Sequence, residues 1–339
     1  MGVPRKFAAA LAGAAVLLPV AGCSSTPPPA AGKIPQSASP TPATPTEKPP
    51  GHPFTGMPYS GEADPVLAVK IENTSAGKPQ MGLRSADIIY VTQVEGGLTR
   101  LIAVYSSKLP KKLGPVRSAR ITDLHLLAQF GRPAFSYSGV QTKMIPFVRA
   151  ASLVDVADGV APSAYFREPG RYAPYNLFAT PKKLLAAAPK ATKAKDIGFV
   201  FSDTPPEGGT PRKTYSVRYP AARFTFGWSE NQKRWLVWQD GKRDVAAEGG
   251  QQGAPTIVVQ YAKTGRSQFH DVNDSYTPLV QTVGKGRAVV LRDGQAFEAR
   301  WSRKNEKSGT EFTTKEGEPM PFAPGQVWVV LAAPKPIQP

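Results

Sequence analysis

Seven polar residues in the first half of the chain have types and spacing that could do chemistry. Glu72 and Asn73 follow a short apolar run, Glu95 and Arg100 flank a Gly-Gly pair, and Arg117, Ser118 and Arg120 lie together in the stretch GPVRSAR. Guanidiniums present planar forks of donors that match carboxylate or phosphate oxygens, and they stay charged at any physiological pH. The spacing of Ile121, Leu124, Leu127 and Ala128 predicts a helix over 118–130, whose start would add unsatisfied amides and a partial positive charge. Glu72, Asn73, Glu95, Arg100, Arg117, Ser118 and Arg120 are therefore expected to form a ligand-binding cluster, for an anionic or glycan envelope ligand or a partner protein. Two other readings of these residues stand beside it. In one, Arg117 and Arg120 pair with Glu72 or Glu95 and tie the strands to the helix, while Ser118 caps it. In the other, Glu72 and Glu95 are acid and base of a hydrolase or transferase acting on the cell wall or its polymers, which requires surroundings that push their two pKa values apart. The sequence assigns no catalytic residue and leaves open whether the protein is an enzyme.

Metal and nucleophile signals are poor. His52, His125 and His270 are far apart, with neither an HExxH nor an HxH motif, so no metal site is expected. There is no GxSxG elbow, and the turns at 82–85 and 208–210 are neither Walker nor dinucleotide loops, so no cofactor is predicted. Trp228, Trp235, Trp238, Trp301 and Trp328 fall in β-like runs, where a core or half-buried place is the default and a sugar platform the alternative. Lys108, Lys111 and Lys112 form a basic run just before GPVRSAR.

The only cysteine, Cys23, excludes an internal disulfide and a CxxC redox pair. It closes a stretch in which Arg5 and Lys6 precede an apolar segment, Phe7 to Val20, followed by Ala21 and Gly22. Crossing a bilayer takes about 20 apolar residues, so the segment predicts a signal peptide and not a membrane-spanning helix. The pattern resembles the lipobox of bacterial lipoproteins, which implies a cleaved peptide at 1–22, acylation (palmitate) of Cys23, and a lipid-anchored protein on the extracytoplasmic side of the cell membrane. Residues 23–55, rich in Pro, Ser, Thr and Ala, predict a solvated tether. With 42 Lys and Arg against 25 Asp and Glu, a formal charge of +17 draws the chain to anionic surfaces. Export makes anionic lipid, an anionic wall polymer, peptidoglycan or an envelope protein the expected partners, and no nucleic acid is expected.

These residues must be held by a body long enough to bury a real core. Strands are predicted over 66–71, 87–94, 98–106 and 133–137, a helix over 141–150 interrupted near Pro146, and a helix over 180–188 with Pro181 in its first turn. Further strands are predicted over 214–219, 223–227, 234–239, 256–261, 286–292, 295–301 and 326–331, with turns at Asp240-Gly241 and Asp293-Gly294. The fold class is α/β in the broad sense, an α+β chain with a mixed part at 56–190 and a mostly β part at 191–339.

The stretch 68–120 contains the blocks IEN, SADIIY, VEGGLTR and GPVRSAR in order, and RAVVLRDGQAFEARW and PFAPGQVWVVL follow near the C-terminus. In these blocks the chain resembles the YerB-like lipoprotein family of the Gram-positive envelope, a two-part domain of unknown function. The resemblance implies a layered sandwich of two β layers and one α layer in the N-terminal part, in a secreted or membrane-tethered protein, and it implies no settled activity. The chain departs from the family at Thr92 and Gln93, where the resemblance leads to expect an acidic residue.

Overall fold

A computed structural model of the chain describes residues 51–334 apart from Val272. The predicted signal peptide, Cys23 and the tether up to residue 50 lie outside the described residues.

Strands form where aliphatic and β-branched residues run together between Pro, Gly and polar stretches. The first half holds β1 (Leu67–Ile71), β2 (Ile88–Gln93), β3 (Thr99–Tyr105), α1 (Ile121–Leu127), β4 (Ala134–Ser136), α2 (Ile145–Ala150), β5 (Val154–Asp155), β6 (Tyr165–Arg167), β7 (Leu177–Ala179) and α3 (Pro181–Ala186). Next come β8 (Thr210–Pro211), β9 (Thr214–Tyr219), β10 (Ala222–Ser229), β11 (Arg234–Gln239), β12 (Lys242–Arg243), β13 (Gly253–Ala254) and β14 (Thr256–Tyr261). The last are β15 (Thr264–His270), β16 (Tyr276–Val280), β17 (Gly284–Arg292), β18 (Gln295–Arg303), β19 (Glu311–Thr314) and β20 (Val327–Ala332). Among the described residues no helix is long and apolar enough to cross a membrane.

Eleven strands make one sheet in the order β19, β18, β17, β14, β20, β2, β3, β1, β4, β5, with β8 beside β18. β20 lies between β14 and β2 and is parallel to both, so the late strands meet the early ones in the middle of the sheet, at the β20–β2 pair. Side chains alternate between the two faces. Ala68, Tyr90, Ile102, Val258 and Val329 pack on one face with Leu124, Leu127, Phe130, Met144 and Val148 from the helical layer. Val69, Val91, Leu101, Val259 and Trp328 pack on the other, with Val217, Phe224, Phe226 and Trp235 of a smaller sheet ordered β12, β11, β10, β9. The fold is thus α+β with a mostly β C-terminal part, in two β layers and one α layer. The second β layer is supplied by residues 214–254 and not, as expected, by the N-terminal part.

Four sequence expectations need correction. The first helix begins at Ile121 and passes at Ala128 into a 3-10 turn; Ser118 does not cap it, because Arg120 stays extended. Instead Asp123 Oδ2 accepts the Arg120 N–H at 2.7 Å. Pro146 lies in the first turn of α2, where a missing N–H costs nothing, so it opens that helix and does not interrupt it. Residues 51–55, assigned by composition to the tether, belong to the body: His52 and Phe54 are buried, and the Phe54 ring meets Phe130 edge to face at 5.3 Å. The hairpins β6–β7 and β15–β16, and β19, are additions with no apolar alternation to announce them; β15 buries Phe269 alone.

Candidate functional site

The cluster grows from the ends of β1, β2 and β3. Strand alternation puts Lys70, Thr92 and Arg100 on the helix-covered face, along with Ala68, Tyr90 and Ile102. Thr92 and Arg100 stand opposite each other in register. The segment 115–117 runs beside the end of β1: the Glu72 N–H donates to the Pro115 carbonyl at 2.9 Å and the Arg117 N–H to that of Lys70 at 2.8 Å. This backbone pairing places Arg117 against Glu72.

Two ion pairs follow. Arg117 Nε donates to Glu72 Oε2 at 2.5 Å, and Arg120 Nε to Glu95 Oε1 at 2.6 Å. Arg120 Nη1 also donates to the Ala119 carbonyl, and the Thr277 hydroxyl donates to Glu95. Both pairs employ Nε, and among the described residues neither Nη2 makes a hydrogen bond. Arg100 differs. Its Nη1 donates to the Ser118 carbonyl at 3.0 Å, and among the described residues no carboxylate forms an ion pair with it. Below the three guanidiniums, Lys70 Nζ lies fully buried at 2.6 Å from Asp123 Oδ1 and 2.8 Å from Thr92 Oγ1.

Electrostatics follow from this arrangement. Burial, then the like charges of Arg120 and Arg117, outweigh Glu72 and Glu95 and push Arg100 down to about 10. Burial pushes the Glu72 carboxyl up, but Arg100, Arg117 and the amides of Thr74 and Asn73 outweigh it and hold the carboxyl below its usual range. Burial likewise raises the Glu95 carboxyl, while Arg120 and the Thr277 hydroxyl bring it below the usual range. Lys70 is brought down to about 8, chiefly by burial, against the opposing pull of Asp123.

A cavity of about 430 Å³ opens over the cluster. Glu95, Arg100, Arg117, Ser118 and Arg120 line one side; Val140, Gln141 and Met144, ahead of α2, line a second; His270, Asp271 and Thr277 of the β15–β16 hairpin line a third. Gln141 Nε2 donates to the His270 carbonyl and joins the last two walls. Asp271 Oδ1 accepts the N–H groups of Asn273 and Ser275, so it is held by its own turn.

Of the seven residues predicted to meet, five line the cavity. Glu72 lies behind Arg117 and holds it. Asn73 does not join them: it is buried, donates to Thr99 Oγ1, accepts from Gln80, and its carbonyl accepts from Gln239 of the smaller sheet. Ser118 contributes its carbonyl, while its Oγ is 3.4 Å from Ser138 Oγ. Lys70 and Thr277 were missed. A lysine inside the run AVKI was a readable sign of a buried partner, whereas Thr277 carries no local sign. Elsewhere, His125 pairs with Glu306 at 2.7 Å, Trp235, Trp301 and Trp328 are core, and Trp228 and Trp238 are half-buried. Among the described residues no three His, Cys, Asp or Glu side chains converge as metal ligands.

Comparison with known proteins places the chain in a family. Residues 54–195 match the description "Protein of unknown function (DUF3048) N-terminal domain", and residues 215–329 match the corresponding C-terminal domain. The chain is 25% identical over 289 residues to a Bacillus subtilis protein named "Putative lipoprotein YerB", covering 82% of this chain and 84% of the relative. The crystal structure of YerB from Bacillus subtilis superposes with a TM-score of 0.69 at 19% identity, over 83% of this chain and 96% of that one, which shows a shared fold.

Proposed function

Because this chain belongs to the DUF3048 family of proteins of unknown function, we propose a function from its own residues: a lipid-anchored protein of the extracytoplasmic face of the membrane, whose body binds an anionic envelope ligand through Arg100, Arg117 and Arg120. The anchor is Cys23. It is supported by the lipobox-like sequence and by the lipoprotein name of the Bacillus subtilis relative.

One observation carries the binding reading. Three guanidiniums face one cavity while only two carboxylates are paired with them, and Arg100 is the one left over. An anion entering there would meet forked donors already oriented by Glu72, Glu95 and the Ser118 carbonyl, so little ordering entropy would be lost. The volume falls within the range of small-ligand sites.

The hydrolytic reading draws less support from the geometry. A general acid must hold its proton near neutral pH. Glu72 is held below the usual carboxylate range chiefly by Arg100, with the Thr74 amide and Arg117, and Glu95 chiefly by Arg120, so neither is poised for that role.

Calorimetric titration of the chain from Ser24 to Pro339 distinguishes ligand classes; every element described here lies within it. Pyrophosphate and a short glycerol-phosphate oligomer should bind, and a neutral wall oligosaccharide should not. Absence of heat with both phosphate probes would overturn the reading.

A further inference from the structure

Beside the cationic cavity lies an apolar rim. Met144, just ahead of α2, and Val148 within it are buried, yet α2 exposes Ile145 at 36% and Phe147 at 42%. Two large apolar side chains thus stand on the solvent side of a six-residue helix. The Phe147 ring stands edge to face on Phe269 of the β15–β16 hairpin at 5.3 Å, so helix and hairpin form one surface. On that hairpin Tyr276 is exposed at 40% beneath the Arg266 guanidinium, 4.6 Å from its ring centroid. Lys143 and Arg149 are exposed on the same stretch as Ile145 and Phe147. Apolar and aromatic groups ringed by cations are the composition of a surface that sits at an anionic bilayer, with rings at headgroup depth and cations among the phosphates.

The rim is continuous with the cavity. Met144 and Gln141 lead directly into α2, and His270 and Thr277 belong to the hairpin that carries Phe269 and Tyr276. We propose that the cavity takes the phosphate of an anionic membrane lipid while Ile145 and Phe147 enter the bilayer surface beside it. This rests on the anion-binding reading and names its ligand as a lipid headgroup. Arg100 meets the phosphate, the forks of Arg117 and Arg120 flank it, and the acyl chains leave across α2. Cations near an anionic surface add their attractions, so the rim and the cavity act together.

The test uses the chain from Ser24 to Pro339, which lacks any cysteine. A single cysteine introduced as F147C and labelled with an environment-sensitive fluorophore reports insertion at the rim; S216C, on the smaller sheet, is the remote control. Vesicles of phosphatidylcholine alone and with phosphatidylglycerol are compared. The expected result is a blue shift at position 147 and none at 216 with phosphatidylglycerol only, lost at least tenfold in affinity when Arg100→Gln is added. In flotation of the otherwise unlabelled chain, Ile145→Ser with Phe147→Ser should weaken binding similarly while the chain keeps a cooperative thermal transition well above the assay temperature. Flotation indifferent to both changes would reveal unspecific attraction by net charge and overturn the inference. If pyrophosphate binds in an Arg100-dependent way but vesicles do not, the lipid inference fails and the anion site stands; if neither binds, both fail.

Discussion

Lys70 is the residue on which the cluster rests. Its ammonium is wholly buried against Asp123, below Arg100 and Arg120, in a strand otherwise made of aliphatic side chains. Breaking a buried pair on one side leaves an uncompensated charge, whereas removing both sides exchanges it for packing. Lys70→Met should therefore cost about 3–5 kcal/mol in denaturant unfolding, and Lys70→Met with Asp123→Leu should recover part of that loss. Equal losses in the single and double variants would show that the pair is not the reason for the cost. Much of the site was readable at this scale. The pairing of Arg117 and Arg120 with Glu72 or Glu95 was one of the readings the residue types allowed, since buried carboxylates need donors, and the structure assigns the partners. The fate of Asn73 was not readable: it directly follows Glu72, yet Gln80 and Gln239 hold it toward the other sheet.

Among the elements, the β2–β3 hairpin decides where Glu95 points. Its connection, Glu95-Gly96-Gly97, has positive φ at both glycines, 64° and 72°. Gly97 also approaches the β9–β10 turn, where its carbonyl accepts the Ala221 N–H at 3.1 Å and an added Cβ would fall 2.4 Å from Pro220 Cβ. Gly96 has nothing within 4 Å of such an atom. Gly97→Ala should cost about 2–4 kcal/mol, from left-handed strain plus overpacking, and Gly96→Ala about 1 kcal/mol from strain alone. Thermal unfolding of the two variants checks this, and similar losses would mean that the contact with Pro220 does not matter. The hairpin was legible because paired glycines separate two β-rich runs. The Asp293-Gly294 turn was legible in the same way, with φ of 50° and 72°. By contrast, the β15–β16 hairpin closes a wall of the cavity without an apolar stripe of its own. Its contact with Glu95 through Thr277 spans 182 residues, a distance over which no local pattern extends.

At the scale of the whole molecule, β20 between β2 and β14 joins early and late sequence in one sheet, so the cavity has walls from both. The strands themselves were legible; their order was not, because hydrophobic periodicity identifies a face and never a neighbour. The proposed anchor is tested on the whole protein in its cell. Growth with a labelled fatty acid should mark the protein in the membrane fraction, and Cys23→Ser should abolish the label and prevent retention there. An unlabelled wild-type chain would contradict the anchor but leave the cavity untouched. For the cavity, the decisive measurement is the pyrophosphate affinity of three chains in one buffer: unaltered, Arg100→Gln, and Lys108→Gln, which removes an equal charge from the exposed basic run. Affinity should fall about 10- to 100-fold in the first variant, the worth of a charge-assisted hydrogen bond at ~1.5–3 kcal/mol, and stay within twofold in the second. Equal affinities in all three chains would contradict an anion site at Arg100.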